Sequence, residues 1–309
     1  MKTRLCFLGI SLAGLVIINV FFILNSSREG SFSSSEPIFN STQAYVLPIS
    51  EPSYFPILDS AKEKPVIGAK ASLVYDTRSG RYLFTKNPRA RLPIASLTKV
   101  LSATVVLENL DLKETIKIPK EVVRVDKEKQ SLYLDEEITV QNLLKLMLIE
   151  SSNDAAYALA HYADSVGVSF VDKMNEKAQT LGMIDSLFID PAGLNDEAYS
   201  TVEDLVKLVK YSLKHELIWD ILTEKSITVR STDGKIEHNL ENTNQLLGVI
   251  PDMIGGKTGH TNNASGCMIL VIDIPGKNDK IVSIVLGTSS RFDDTKKLID
   301  WVKESYRWE

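Results

Sequence analysis

With 309 residues, 44% of them apolar and 24% charged, the chain is long enough to bury a substantial core as one large domain or two small ones. A net charge of −5 argues against nucleic acid as a partner. The two cysteines, Cys6 and Cys267, give no disulfide framework, and His161, His215, His238 and His260 are too scattered for metal-ligand spacing, so no metal or other cofactor is expected.

Lys2 and Arg4 precede an almost unbroken apolar run over residues 5–24. About twenty such residues can cross the hydrocarbon core of a membrane, whereas the apolar part of a secretory signal is about 7–15 long. No small-x-small cleavage site follows Leu24. The expectation is a single-pass transmembrane anchor at 5–24, with 1–4 in the cytoplasm and the rest of the chain beyond the cell membrane. Residues 25–65 are serine-rich, carry several prolines and lack sustained periodicity, which predicts a flexible linker. The globular domain is then 66–309.

Within that domain, "KASLVYDTRSGRYLFTKN" predicts two strands joined by a turn at Arg78-Ser79-Gly80. Pro93 precedes a helix whose apolar positions Leu97, Val100, Leu101 and Val105 share a face. Short β-like pieces occupy 115–134, and a mainly helical block covers 139–181. The loop "DPAGLNDEAYS" leads into another helix, "TVEDLVKLVKYSLK". The C-terminal part offers strands at "SITVRS", "CMILVIDI" and "KIVSIVLGTS", then a closing helix at "FDDTKKLIDWVKESYRW". Strands at both ends with helices between them predict an α+β domain whose sheet unites N- and C-terminal segments.

Three short segments carry reactive side chains. In "PIASLTKV", Ser96 and Lys99 are three residues apart on a helix, close enough for proton transfer. A serine hydroxyl needs an adjacent base to act as a nucleophile. A lysine serves as that base only when uncharged, against a free pKa of about 10.4; desolvation, a nearby like charge and the positive end of a helix all favour the uncharged form. In "LIESSNDAAYALA", Ser151, Ser152 and Asn153 lie between two helical stretches, where such residues also serve as caps. There Ser151 can pass a proton to a leaving group and Asn153 can bond a substrate amide. In "GGKTGHT", which runs into an apolar strand, the glycines permit close backbone approach, and Lys257 with Thr258 offers a charge and a hydroxyl to a carboxylate. It is not a phosphate-binding loop, because Pro251 stands where that motif needs its first glycine.

In this order, S-x-x-K, S-x-N and K-T-G, the chain resembles the serine penicillin-binding protein and β-lactamase superfamily. With "DPAGLNDEAYST" added, it is similar to the low-molecular-mass D-alanyl-D-alanine carboxypeptidases of peptidase S11 type, over roughly residues 70–291. The resemblance implies a β-lactamase/transpeptidase-like fold: an antiparallel sheet flanked by helices, with an all-helical lobe. It implies catalytic roles for Ser96 as nucleophile, Lys99 as base and Ser151 in proton transfer. Substrate would be held by Asn153, Lys257, Thr258, Gly259 and His260, the backbone N–H groups of Ser96 and His260 forming the oxyanion hole. Peptidoglycan stem peptides and β-lactams are the implied partners, besides the membrane through the N-terminal helix.

Two departures stand out against that family. The chain stops shortly after the catalytic domain, and "MIGG" stands where an aspartate-glycine pair often precedes K-T-G. A DD-endopeptidase shares the same three segments. So does a class A β-lactamase, but its loop glutamate has no counterpart in "FIDPAGLNDEAYS". A non-enzymatic wall-binding or β-lactam-sensing module is the alternative from another class.

Overall fold

The computed structural model describes residues 55–309 apart from 60, 124 and 126–129. The expected anchor at 5–24 and most of the expected linker lie outside these residues. Among the described residues, no helix is long and apolar enough to cross a membrane.

The strands are β1 Pro56–Leu58, β2 Ala71–Asp76, β3 Tyr82–Lys86, β4 Thr115–Lys117, β5 Glu137–Thr139, β6 Ser226–Arg230, β7 Glu237–Glu241, β8 Met253–Thr261, β9 Ser265–Ile274, β10 Asp279–Thr288 and β11 Tyr306–Trp308. Seven α-helices accompany them among the described residues: α1 Thr98–Asn109, α2 Val140–Ile149, α3 Asn153–Ser165, α4 Phe170–Thr180, α5 Val202–Ser212, α6 Glu216–Thr223 and α7 Arg291–Ser305. The main sheet has the order β3-β2-β10-β9-β8, and every neighbouring pair is antiparallel. Strands from both ends of the chain thus share one sheet, as expected.

Both faces of that sheet are covered, which is why "CMILVIDI" reads as a continuous apolar run rather than an alternation. Successive side chains of a strand point to opposite faces. Cys267, Ile269 and Val271 of β9, with Val282, Ile284 and Leu286 of β10, join the core shared with the helical lobe. Met268, Leu270, Ile272, Ile281 and Val285 face the other way, onto Leu298, Ile299, Trp301 and Val302 of α7. Helix α1 runs through the lobe with every residue from Thr98 to Val106 buried, the pattern of a helix enclosed on all sides. Around it, α2, α3 and α5 begin on Thr139, Ser152 and Thr201, whose hydroxyls accept backbone N–H groups of their first turns.

Three details differ from expectation. The K-T-G segment does not precede a strand; it lies within β8, whose backbone pairs with β9 from Met253↔Ile272 to Thr261↔Ser265. Pairing along this length overrides the poor strand propensity of its glycines. Among the described residues of 115–134, only β4 is a strand, followed by a 3-10 turn at Lys120–Val122. Finally, β1 falls inside the stretch read as linker, and pairs with β11 from Pro56↔Trp308 to Leu58↔Tyr306. Three-residue strands carry no readable period; their partner supplies the order.

Candidate active site

A 3-10 turn, Ala95–Leu97, leads into α1 and holds Ser96. Ala95 has φ +47°, a left-handed conformation that a non-glycine residue adopts at a cost on the order of 1–3 kcal/mol. One turn on, Lys99 is fully buried, in a first turn with no acidic residue to complement the positive helix end. Its Nζ lies 2.8 Å from Ser96 Oγ and donates to Asn153 Oδ1 at 2.7 Å and to the Ala192 carbonyl at 3.0 Å. Of these three partners, only the serine hydroxyl can donate in return. The charged form satisfies these contacts by donating to all three, and the uncharged amine by donating to Asn153 and Ala192 while accepting from Ser96.

The second segment sits at the break between α2 and α3. Ser151 is left-handed, φ +64°, at a position where helices commonly end on glycine. Ser152 caps α3 through the amide of Ala155, and Asn153 opens the helix with its side chain on Lys99. The expected capping role thus belongs to Ser152, which leaves Ser151 and Asn153 for the site. Ser151 Oγ accepts from Lys257 Nζ at 2.8 Å, across 106 positions of sequence.

The third segment is the edge strand β8. Lys257 is 1% exposed and also donates to the Thr258 carbonyl at 3.0 Å. Burial holds its amine well below the ordinary lysine value, and the like charges of Lys99 and Arg291 push the same way. Thr258 Oγ1 meets Thr243 Oγ1 at 2.6 Å. Gly259 lies against the serine turn so closely that a Cβ there would stand 2.9 Å from the Ile94 carbonyl and 3.1 Å from the Ser96 amide nitrogen. His260 is exposed.

A cleft of about 240 Å³ opens where the segments meet, with Ser96, Ser151, Asn153, Thr258, Gly259 and His260 on its walls. Lys99 and Lys257 lie buried behind these walls. All eight sequence-predicted residues therefore converge on one site. Among the described residues, no group of three or more His, Cys, Asp or Glu side chains is placed to hold a metal ion.

The comparisons with known proteins agree with this geometry. The model of the D-alanyl-D-alanine carboxypeptidase family, peptidase S11, matches residues 59–290. The chain belongs to the S11 family. Among its S11-type relatives, the D-alanyl-D-alanine carboxypeptidase DacF of Bacillus subtilis is 33% identical over 250 residues, 77% of this chain and 63% of that protein. A D-alanyl-D-alanine endopeptidase of Escherichia coli is 31% identical over 78% of this chain and 79% of its own length. The crystal structure of the Streptomyces K15 DD-transpeptidase superposes with a TM-score of 0.73 at 29% identity, covering 79% of this chain and 100% of that one. The S11 fold seen here is accordingly the mixed α/β penicillin-binding and transpeptidase-like one.

The cleft of this S11 domain also contains residues that sequence reasoning missed: Ser131, Glu150, Thr243 and Arg291. Arg291 opens α7, packs its guanidinium 4.7 Å above the Phe292 ring, and has a buried Nε without a hydrogen-bond partner. A half-buried cation on the cleft wall suits a carboxylate. Its nearest sequence signal was the start of an amphipathic helix, which points to no cleft.

Proposed function

We propose that the chain is a serine-type D-alanyl-D-alanine carboxypeptidase acting on peptidoglycan stem peptides. The supporting observation is the Lys99 amine, 2.8 Å from Ser96 Oγ, with two further partners that can only accept. Lys99 takes the hydroxyl proton as Ser96 Oγ bonds to the carbonyl carbon between the two terminal D-alanines. The oxyanion that forms faces the backbone N–H groups of Ser96 and His260; two such donors contribute several kcal/mol, at about 3–4 for a single one. The C–N bond breaks, and the leaving nitrogen takes the proton that Lys99 gained, passed on through Ser151 with Lys257 as its partner, so that D-alanine leaves and the Lys99 amine is uncharged again for the next step. Water then adds to the Ser96 ester, its proton passing to the basic amine, and the ester C–O bond breaks to regenerate the hydroxyl. Thr258 and Arg291 hold the terminal carboxylate, which β-lactams also carry, and Asn153 holds the substrate amide.

Support for slow release of β-lactams comes from the loop after α4. One carboxylate of that loop, Asp190, is occupied by backbone N–H groups and so is not free to activate water. A chromogenic cephalosporin should give a burst followed by slow turnover. Ser96→Ala should lose both D-alanine release and covalent penicillin labelling while remaining folded, and labelling that persists in this variant would remove Ser96 from its role.

An endopeptidase reading draws on a second hollow, about 340 Å³, that shares Arg291 and continues past Gln245, Ser289 and Ser290. It gives room for a leaving residue longer than D-alanine. Mass spectrometry of peptidoglycan fragments separates the two: loss of one D-alanine against cleavage of cross-links. We place the domain outside the cytoplasm, held at the cell membrane by the apolar segment 5–24.

A further inference from the structure

We propose that Asp190 is a positioning residue that aims the Lys99 amine at Ser96. The proposal rests on the acyl-enzyme reading above. Asp190 is 7% exposed, and its carboxylate gathers four consecutive backbone N–H groups. Oδ1 accepts from Ala192 at 2.7 Å, Gly193 at 2.6 Å and Leu194 at 3.2 Å, while Oδ2 accepts from Asn195 at 2.7 Å. Converging amides of this kind are an anion-binding arrangement, and bonds to a charged acceptor are the stronger class. Here the anion belongs to the chain itself.

The consequence lies on the far side of the same loop. With the N–H groups of 192–195 turned toward Asp190, the carbonyl of Ala192 is left facing Lys99 Nζ at 3.0 Å. Two more contacts clamp the loop to the nucleophile's own element. Ser102 Oγ of α1 donates to the Pro191 carbonyl at 2.7 Å. Gly193, at φ +78°, packs so tightly on the serine turn that a Cβ would stand 2.0 Å from the Ala95 carbonyl.

An amine is a rotor, and its lone pair points at a chosen atom only if its N–H bonds are committed elsewhere. Asn153 Oδ1 commits one and Ala192 commits the second, so the lone pair is left to Ser96. Without Asp190 the loop loses the anion that orders it, and the amine loses the second constraint. Charged and titratable groups near the pair include Lys257, Arg291, Glu150 and His260 on the cleft side and Tyr157 beside Asp190. The Tyr157 hydroxyl is pushed up to about 12, first by burial and then by Asp190.

The test uses the full chain, with acylation by a chromogenic cephalosporin followed from pH 6 to pH 10 in wild type, Asp190→Asn and Ser102→Ala. Asparagine keeps one accepting oxygen but turns the other acceptor into a donor facing the Asn195 amide. The limiting acylation rate should fall by about 10- to 100-fold in Asp190→Asn, as for a small misplacement of a reacting group. The non-covalent dissociation constant should hold within about threefold, and the pH profile of acylation should shift. Ser102→Ala, a milder loosening of the same loop, should shift the profile in the same direction with a smaller loss. A merely structural role lowers the melting temperature but leaves the pH profile of the folded fraction alone. A wild-type limiting rate and profile in folded Asp190→Asn, or in Ser102→Ala if Asp190→Asn does not fold, overturns the assignment of Asp190. A wild-type chain that is not labelled at Ser96 overturns the acyl-enzyme reading beneath it, and the two failures are distinct.

Discussion

Gly259 stands against the amide of Ser96 with no room for a single carbon between them: a Cβ at 259 would lie 3.1 Å from that nitrogen and 2.9 Å from the carbonyl of Ile94. The edge of the sheet and the nucleophile's turn therefore share one surface, where two backbone donors can point at the same oxyanion. Gly259→Ala pushes the strand off the turn. Acylation should fall by about 100-fold while the sheet, anchored along β9, keeps the domain folded. Stopped-flow labelling with a penicillin, alongside far-ultraviolet circular dichroism, measures both; a folded variant that acylates at the wild-type rate contradicts the shared surface.

Ser151 offers a separation of stability from activity. Its left-handed backbone is unfavourable for any residue with a Cβ, and its hydroxyl is the partner of Lys257. Ser151→Gly and Ser151→Ala both remove the hydroxyl, so both should lose most turnover. Only glycine relieves the backbone, so Ser151→Gly should be more stable than Ser151→Ala by about 1 kcal/mol. Urea denaturation of the pair reads that difference directly, and equal midpoints would mean that the backbone there is unstrained.

Arg291→Ala should raise KM for peptides ending in a free carboxylate by about 10- to 100-fold, the worth of a charge-assisted bond of about 1.5–3 kcal/mol. Substrates with an amidated terminus should change little. Equal losses on both would assign Arg291 to the shape of α7 rather than to the carboxylate.

Far from the cleft, Asp279 is buried next to Asp76 at the end of the sheet, and its Oδ2 has no donor of its own. Burial first, and then the hydrogen bond and charge of Asp76, raise its pKa from 3.8 to about 6. A carboxyl raised on folding binds its proton more tightly in the native state. Its contribution to stability is thus full below pH 3.8 and is lost as pH rises through about 6. Asp279→Asn keeps the acceptor for Thr77, Arg78 and Lys280 and adds a donor toward Asp76. It should flatten the stability profile between pH 4 and pH 6 and raise stability at neutral pH by about 1–3 kcal/mol. Parallel profiles for the two proteins would show that no proton is shared there.

The parts of this site that could be read in the sequence are those whose chemistry is local. Ser96 and Lys99 need only the helical spacing that brings them together. The role of Ser151 toward Lys257 spans 106 positions, and only the order of the three segments, with its family resemblance, joined them. Arg291 and Asp190 had no such signal. An arginine at the first position of an amphipathic helix reads as solvent-facing, and an aspartate before a proline reads as a turn. It takes the closeness of Gly266, where a Cβ would meet the Arg291 Cβ at 3.3 Å, to bring that side chain into the cleft. Among the elements, α6 and β7 were not assigned, since "ELIWDILT" and "EHNLE" are too short to declare a period.

The place of β10 in the sheet has a consequence for how the molecule comes into being. It lies between β2 and β9, yet it comes after both in the chain. A ribosome releases the nucleophile's helix long before the strand that joins the opening hairpin to the rest of the sheet. Until then β2 and β3 are a lone ribbon, and two-stranded ribbons are marginal in water. The sheet that backs the Ser96 cleft is thus assembled only once β10 has been made and has joined β2 to β9.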